Sequence, residues 1–212
     1  MNHPLQCQCG TLRGSVAKTL IVNRGVCYCR DCQAFAYFLG RQADVLDERG
    51  GTDIIQTLPR NIAFTHGIKS IACMRLTPKG MIRWFAGCCG TPIGNTLASP
   101  AISFIGLVHT CLETPDIPLQ ASFGPVRTWV NTASARGTAK PSAKALSASS
   151  FRLIYHALKA RIDGNYKHNP LFRPDTKAPI VTPRVLSSSE LASLMQAVAT
   201  ASAQARVNGV AE

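Results

Sequence analysis

The 212-residue chain carries 23 Lys and Arg against 11 Asp and Glu, a formal charge of +12, with 46% hydrophobic residues and nine cysteines. That length supports one substantial core, alone or with an appendage, without help from disulfides, so the cysteines need another role. Met1 to Gln6 has no basic segment leading into an apolar run, and no later stretch is long and uncharged enough to span a bilayer. The expectation is a reducing cytoplasm, with no membrane partner, where clustered thiols serve as metal ligands more readily than as disulfides.

The charge admits nucleic acid or anionic small molecules as partners. Its distribution excludes a dedicated basic arm: residues 1–112 hold 11 basic against 5 acidic residues and residues 113–212 hold 12 against 6. A solvated basic surface explains this as well as a nucleic-acid footprint does, and aromatic and basic residues are not interleaved near the thiols.

Cys7-Gln8-Cys9-Gly10 comes first, with a glycine that permits the positive φ of a metal-binding knuckle. Leu12 to Val16 and Thr19 to Val22 read as short strands of one hairpin, broken at Asn23-Arg24-Gly25. Cys27-Tyr28-Cys29-Arg30-Asp31-Cys32 follows, three thiols in six residues. Such spacing folds back as a tight turn and converges three sulfurs on one soft metal, so a three-thiolate zinc site is expected, with one tetrahedral position left open for water, a substrate thiol or another residue. Core cysteines or half of a closed site are the alternative. Arg30 either offsets the site's negative charge, pairs with a substrate carboxylate, or is a solvated surface residue.

Gln33 to Gly40 is aromatic-rich and glycine-terminated, predicting a short helix in which Phe35 and Tyr37 pack in the core or wall a pocket beside the metal. Leu46 to Ile54 reads as a loop, whose Gly50-Gly51-Thr52 backbone is the expected substrate-binding element, by its N–H groups. Ile68 to Thr77 and Met81 to Ala86 read as a hairpin turned by Pro78-Lys79-Gly80, delivering the chain to Gly87-Cys88-Cys89-Gly90. Ala101 to Val108 suits a buried strand, and Cys73 and Cys111, lacking ligand spacing, read as small buried residues.

From about residue 132 Ala, Ser, Thr and Lys dominate, predicting a flexible linker or long surface loop over 132–150. Phe151, Ile154, Tyr155, Leu158 and Ile162 recur at helical spacing, with Gly164 as the stop. Four prolines make 169–185 extended, and Ser187-Ser188-Ser189-Glu190 is a capping box for a last helix with Leu191, Leu194, Met195 and Val198 on one face.

Taken in order, Cys-x-Cys-Gly, Cys-x-Cys-x-x-Cys and a late Phe-x-x-x-Cys-Gly resemble the glutathione-dependent formaldehyde-activating enzyme family, which also includes centromere protein V. The resemblance covers about residues 5–108. It implies a mainly β fold, a zinc-stapled β-tent over 1–131, to which 151–212 adds a helical C-terminal segment. It also implies a structural zinc at Cys7, Cys9 and Cys89, a second zinc at Cys27, Cys29 and Cys32, and a carbon–sulfur lyase acting on a glutathione adduct of formaldehyde. A non-catalytic zinc module binding protein or nucleic acid, or a thiol carrier, is the alternative.

Two departures stand out. The family's first late cysteine falls on Ala86, leaving the first site incomplete unless Cys88 supplies the missing ligand. Alternatively Cys88 turns to the other metal and closes it. Tyr28 stands where the family often has histidine.

Overall fold

The computed structural model of the chain describes residues 2–19, 22–137 and 140–208. Two strands, β1 (His3–Gln6) and β2 (Arg13–Val16), open the chain, and β3 (Asn23–Cys27) leads into α1 (Arg30–Phe38) and the single turn α2 (Gln42–Val45). Strands β4 (Thr52–Thr57), β5 (Ile62–His66), β6 (Ile71–Arg75), β7 (Ile82–Ala86), β8 (Pro92–Thr96) and β9 (Ile105–Val108) follow. Beyond them lie α3 (Leu119–Phe123), β10 (Thr128–Val130), α4 (Ala148–Ile162), β11 (Arg184–Val185) and α5 (Ser188–Asn208).

The architecture mixes α and β. A three-stranded sheet runs β1-β2-β5 and an eight-stranded sheet runs β10-β3-β4-β9-β8-β7-β6-β11, antiparallel except where β10 joins β3 and β11 joins β6. The main core gathers Leu5, Leu12, Ile55, Ile71, Trp84 and Leu107 from both sheets. Trp84 is fully buried and donates its indole N–H to Thr96 Oγ1 at 2.9 Å, satisfying the one polar atom it brings inside. Leu171 and Phe172 of the proline-rich segment enter the same core. Each such burial is worth about 1.5–3 kcal/mol and fastens that segment to the sheets.

A second core joins α1 to α5: Ala34 and Phe35 pack with Met74, Leu76 and Val198, and Leu191, Leu194 and Met195 close over them. The capping box forms as its sequence implies, with the Ser187 hydroxyl accepting from Glu190 N–H at 3.2 Å and Glu190 Oε2 accepting from Ser187 N–H at 2.8 Å. The β6–β7 hairpin also forms, pairing Ile71 with Ala86. Cys73 and Cys111 are buried as small core residues. Among the described residues, no helix is long and apolar enough to cross a membrane.

Several elements differ from expectation. The Thr19–Val22 strand includes Leu20 and Ile21, which lie outside the described residues, as do Thr138 and Ala139 of the 132–150 segment. β2 pairs with β1 and β5, while the Asn23-Arg24-Gly25 break is the body of β3. These turn-type residues make long-range contacts. Arg24 pairs with Asp53 at 2.6 Å, and a Cβ on Gly25 would stand 2.1 Å from Thr128 Oγ1 of the adjoining β10.

Helix α1 begins at Arg30, three residues early, because Cys29 caps it, and Gly40 beyond its end takes φ +65°. Thr52 to Ile54 belong to β4, since they pair with Val26, Cys27 and Gly25. Only Ile105–Val108 of the 101–108 run forms a strand, and Ile102 is exposed. The apolar stripe of α4 faces outward: Phe151, Ile154, Tyr155, Leu158 and Ile162 are exposed, while Ser150, Leu153 and Ala160 are buried. The helix docks through its smaller side chains, its cap Ser147 donating to Asn23 Oδ1 at 3.0 Å.

Candidate metal centres

The first thiol pair sits in the turn between β1 and β2. Cys7 Sγ accepts from Leu12 N–H at 3.2 Å, and Gly10 closes the turn at φ +74° with its N–H on Cys7 O at 2.9 Å. The second pair sits in the β7–β8 turn, where Gly90 takes φ +72° and donates to Ala86 O at 2.8 Å. That bend brings the adjacent Cys88 and Cys89 to one side, which an extended chain would forbid.

The four sulfurs of Cys7, Cys9, Cys88 and Cys89 lie within 4.8 Å of one another. Individual separations are 3.5 Å for Cys7–Cys9, 3.8 Å for Cys7–Cys88, 3.3 Å for Cys9–Cys88 and 3.9 Å for Cys88–Cys89. A tetrahedron with metal–sulfur bonds of about 2.3 Å has edges of about 3.8 Å, so the donor set fits a closed four-thiolate centre. Cys88 thus completes the cluster that Ala86 leaves short. Hydrogen bonding to Thr11, then to Cys88 and Cys7, pulls the Cys9 thiol down to about 6, a sulfur ready to ligate at neutral pH.

The second cluster comprises Cys27, Cys29 and Cys32, likewise within 4.8 Å of one another. Cys27 ends β3, and Cys29 is the N-cap of α1, its Sγ accepting from Cys32 N–H at 3.3 Å. The helix N-terminus thus aims its positive end at the sulfurs. Hydrogen bonds from Cys29 and Cys32, with a lesser one from Asn131, hold Cys27 far below the usual thiol range. Hydrogen bonds to Cys27 and Cys29, together with burial, push Cys32 well above it. A cation bound among the three sulfurs would take the place of their protons.

Two neighbours of this cluster were not foreseen. Asn131, at φ 56° in the turn after β10, donates Nδ2–H to Cys27 Sγ at 3.4 Å. Arg83, the second residue of β7 and only 4% exposed, places Nη1 4.0 Å from Cys32 Sγ and 3.2 Å from Asn95 Oδ1, and Nη2 3.6 Å from Asp31. Its guanidinium lies 5.5 Å from the centre of the Phe35 ring. The only signal in the sequence was an arginine inside the apolar run Ile82-Arg83-Trp84-Phe85. A buried cation there must find an anionic partner.

The residue 1–181 span matches the family model described as a family of unknown function, DUF6151. The chain belongs to the DUF6151 family. No curated protein sequence matches it significantly. Among solved structures, the crystal structure of a Rhodobacter sphaeroides protein is similar at 14% identity and a TM-score of 0.40, over 60% of this chain and 99% of that one. A likeness that slight carries no argument.

In this DUF6151 protein the remaining expected site residues divide. Thr52 lies directly opposite Cys27 in the β3–β4 register and is buried, with Oγ1 unpartnered among the described residues. Gly51 packs under the thiol strand, where a Cβ would meet Val26 and Tyr28 at 2.5 and 2.6 Å. The amides of the glycine pair are not free for a ligand, contrary to expectation. Gly50 N–H donates to Asp47 O at 2.9 Å and Gly51 N–H to Asp47 Oδ1 at 2.6 Å. The Asp47 turn consumes them, and Asp47 Oδ2 also accepts from the Tyr28 hydroxyl at 3.3 Å.

Arg30, between two of the cluster's cysteines, lines a cavity of about 250 Å³ with Ser134, Val198, Ser202 and Arg206. Two guanidinium groups therefore border one hollow, and α5 forms one of its walls. The family match ends at residue 181, ahead of that helix.

Proposed function

We propose that the protein is a zinc-stapled β-tent whose Cys27–Cys29–Cys32 cluster is the working centre of a carbon–sulfur lyase, acting on a glutathione or other thiol adduct of formaldehyde or a related aldehyde. The observation that carries this reading is the inequality of the two clusters: four convergent sulfurs in one, three in the other. Four thiolates complete a tetrahedron and suit a structural zinc, whereas three leave a position for an exogenous ligand. The resemblance of the ordered thiol pattern to the formaldehyde-activating enzymes supplies the reaction class.

A zinc held by Cys27, Cys29 and Cys32 would offer its fourth position to the sulfur of the thiol, stabilising it as thiolate near neutral pH. The chain's own groups prepare the rest. Arg83 offsets the excess negative charge of three thiolates, and Asn131 fixes the Cys27 sulfur by donating to it. Arg30 and Arg206 border the hollow where a substrate carboxylate would sit. Breaking the C–S bond of a hydroxymethyl thioether returns the electron pair to sulfur as the carbonyl forms, and the hydroxyl proton leaves to solvent.

The test combines metal content with exchange kinetics. Two zincs per chain are expected, with Cys29→Ser and Cys89→Ser each removing one. Formaldehyde–glutathione exchange, followed by magnetisation transfer, should exceed the spontaneous rate for wild type and for Cys29→Ser should match the background. Zinc and thiol binding without accelerated exchange would make the protein a thiol carrier, and a zinc content unaffected by Cys29→Ser would refute the working centre. Binding to single-stranded nucleic acid with a steep salt slope and no thiol binding would establish the non-catalytic alternative.

A further inference from the structure

Seven large apolar side chains are exposed on and beside α4, none of them part of either thiol cluster. Phe151, Tyr155, Leu158 and Ile162 form a ridge along α4, 61%, 61%, 60% and 88% exposed, and Ile154, Ile102 and Leu146 lie beside it, 48%, 53% and 52% exposed. A groove of about 420 Å³ runs alongside the ridge, bounded by Leu97, Ile102, Phe104, Leu146 and Ile154 with Leu153 as part of its lining. With roughly 150–250 Å² per large side chain, these fractions leave on the order of 800 Å² of apolar surface in water. A monomer's largest apolar patch is about 300–600 Å², while a standard interface takes about 800 Å² from each partner.

We infer that this face is the two-fold interface of a homodimer. The occupant is a second copy of this chain because the face presents a ridge and a groove side by side. A two-fold axis along their shared edge seats each ridge in the other copy's groove, the self-complementary arrangement an isologous contact requires. A planar bilayer would take up the ridge and leave the groove unfilled. The ridge itself carries no charged residue, as the centre of a homodimer interface demands. Lys159 and Asp163 adjoin the ridge in sequence and Arg161 lines the groove, and each copy carries a formal charge of +12, so the rim is net cationic on both copies.

That rim sets the sign of the salt dependence. Dimerisation tightens as salt screens like charges, whereas adsorption to an anionic bilayer weakens. The experiment is sedimentation velocity of the full chain over a concentration series, at about 0.15 M and about 0.5 M NaCl, with co-sedimentation on phosphatidylglycerol vesicles run in parallel. The expected species has twice the 22.7 kDa chain mass and a dissociation constant that falls with salt. Leu158→Glu on the ridge and Ile102→Glu on the groove wall are both at exposed positions, so folding should be retained. Each should raise the dissociation constant by about 100-fold or more with an unchanged circular dichroism spectrum. A wild-type monomer throughout the series overturns the inference, whether or not it binds vesicles. So does a dimer that both folded variants leave intact.

Discussion

Arg83 provides the sharpest test of the two-centre reading. Replacing it with methionine removes the cation while keeping a similar side-chain volume. A unit charge 4.0 Å from the Cys32 sulfur is worth about 4 kcal/mol at an effective dielectric constant of about 20. The guanidinium is also engaged by Asn95 and Asp31, and the charge of a three-thiolate zinc is spread over three sulfurs. About half should therefore survive as coupling, about 2 kcal/mol or ~30-fold in zinc affinity. The stability of the metal-free protein should change little. Asn95 Oδ1 loses a donor, costing about 1–3 kcal/mol, but the burden of burying a cation is lifted at the same time. Stepwise competition with a chromogenic chelator, counting zinc released per chain, should show the three-thiol centre emptying ~30-fold earlier and the four-thiol centre unmoved. Equal weakening of both centres would show a general loss of fold, and an unchanged three-thiol centre would refute the electrostatic role.

Cys88→Ser should lower the zinc content by one per chain, because its sulfur lies 3.3 Å from Cys9 and 3.8 Å from Cys7; Cys73→Ser, which belongs to neither cluster and donates its thiol to Val181 O, should leave the content unchanged. Gly25→Ala would force a Cβ against Thr128 and should cost about 1–3 kcal/mol in chemical denaturation, while weakening zinc at the three-thiol centre because β10 positions Asn131. Ser187→Ala should cost about 1 kcal/mol through loss of the α5 cap, read as a lowered melting temperature. Glu190 is held below the usual carboxyl range by the Ser187 backbone and hydroxyl first and by Arg184 less. Its folded value being depressed, its share of stability is present above the unfolded carboxyl pKa and lost as pH falls through the folded value, and Glu190→Gln should flatten that acid limb.

Features that rest on neighbours in sequence were legible. The Cys-x-Cys-x-x-Cys spacing implies a thiol turn, and Ser187 with Glu190 implies a helix start, because the interacting atoms lie within a few residues. The β6–β7 hairpin is of the same kind, resting on Pro78-Lys79-Gly80. The Asn23-Arg24-Gly25 stretch misled for the opposite reason. Its residues are turn formers by local preference, yet they form a strand whose partners are Asp53, Gln56 and Thr128. The α4 stripe misled similarly, since periodicity reports that a helix has an apolar face and not which face meets the core.

The amino-acid sequence by itself determined the ligand chemistry: seven clustered thiols in three short motifs, and glycines where the turns need positive φ. Tertiary structure alone decided how those motifs combine. Cys88 joins Cys7 and Cys9 across some eighty residues, Arg83 reaches Cys32 across 51 and Asn131 reaches Cys27 across 104. Such contacts depend on which sheet edges meet and on which side a turn bends, and these are settled by the burial of the whole core. One cluster is therefore closed by four sulfurs and the other left with three, a difference that no single motif contains.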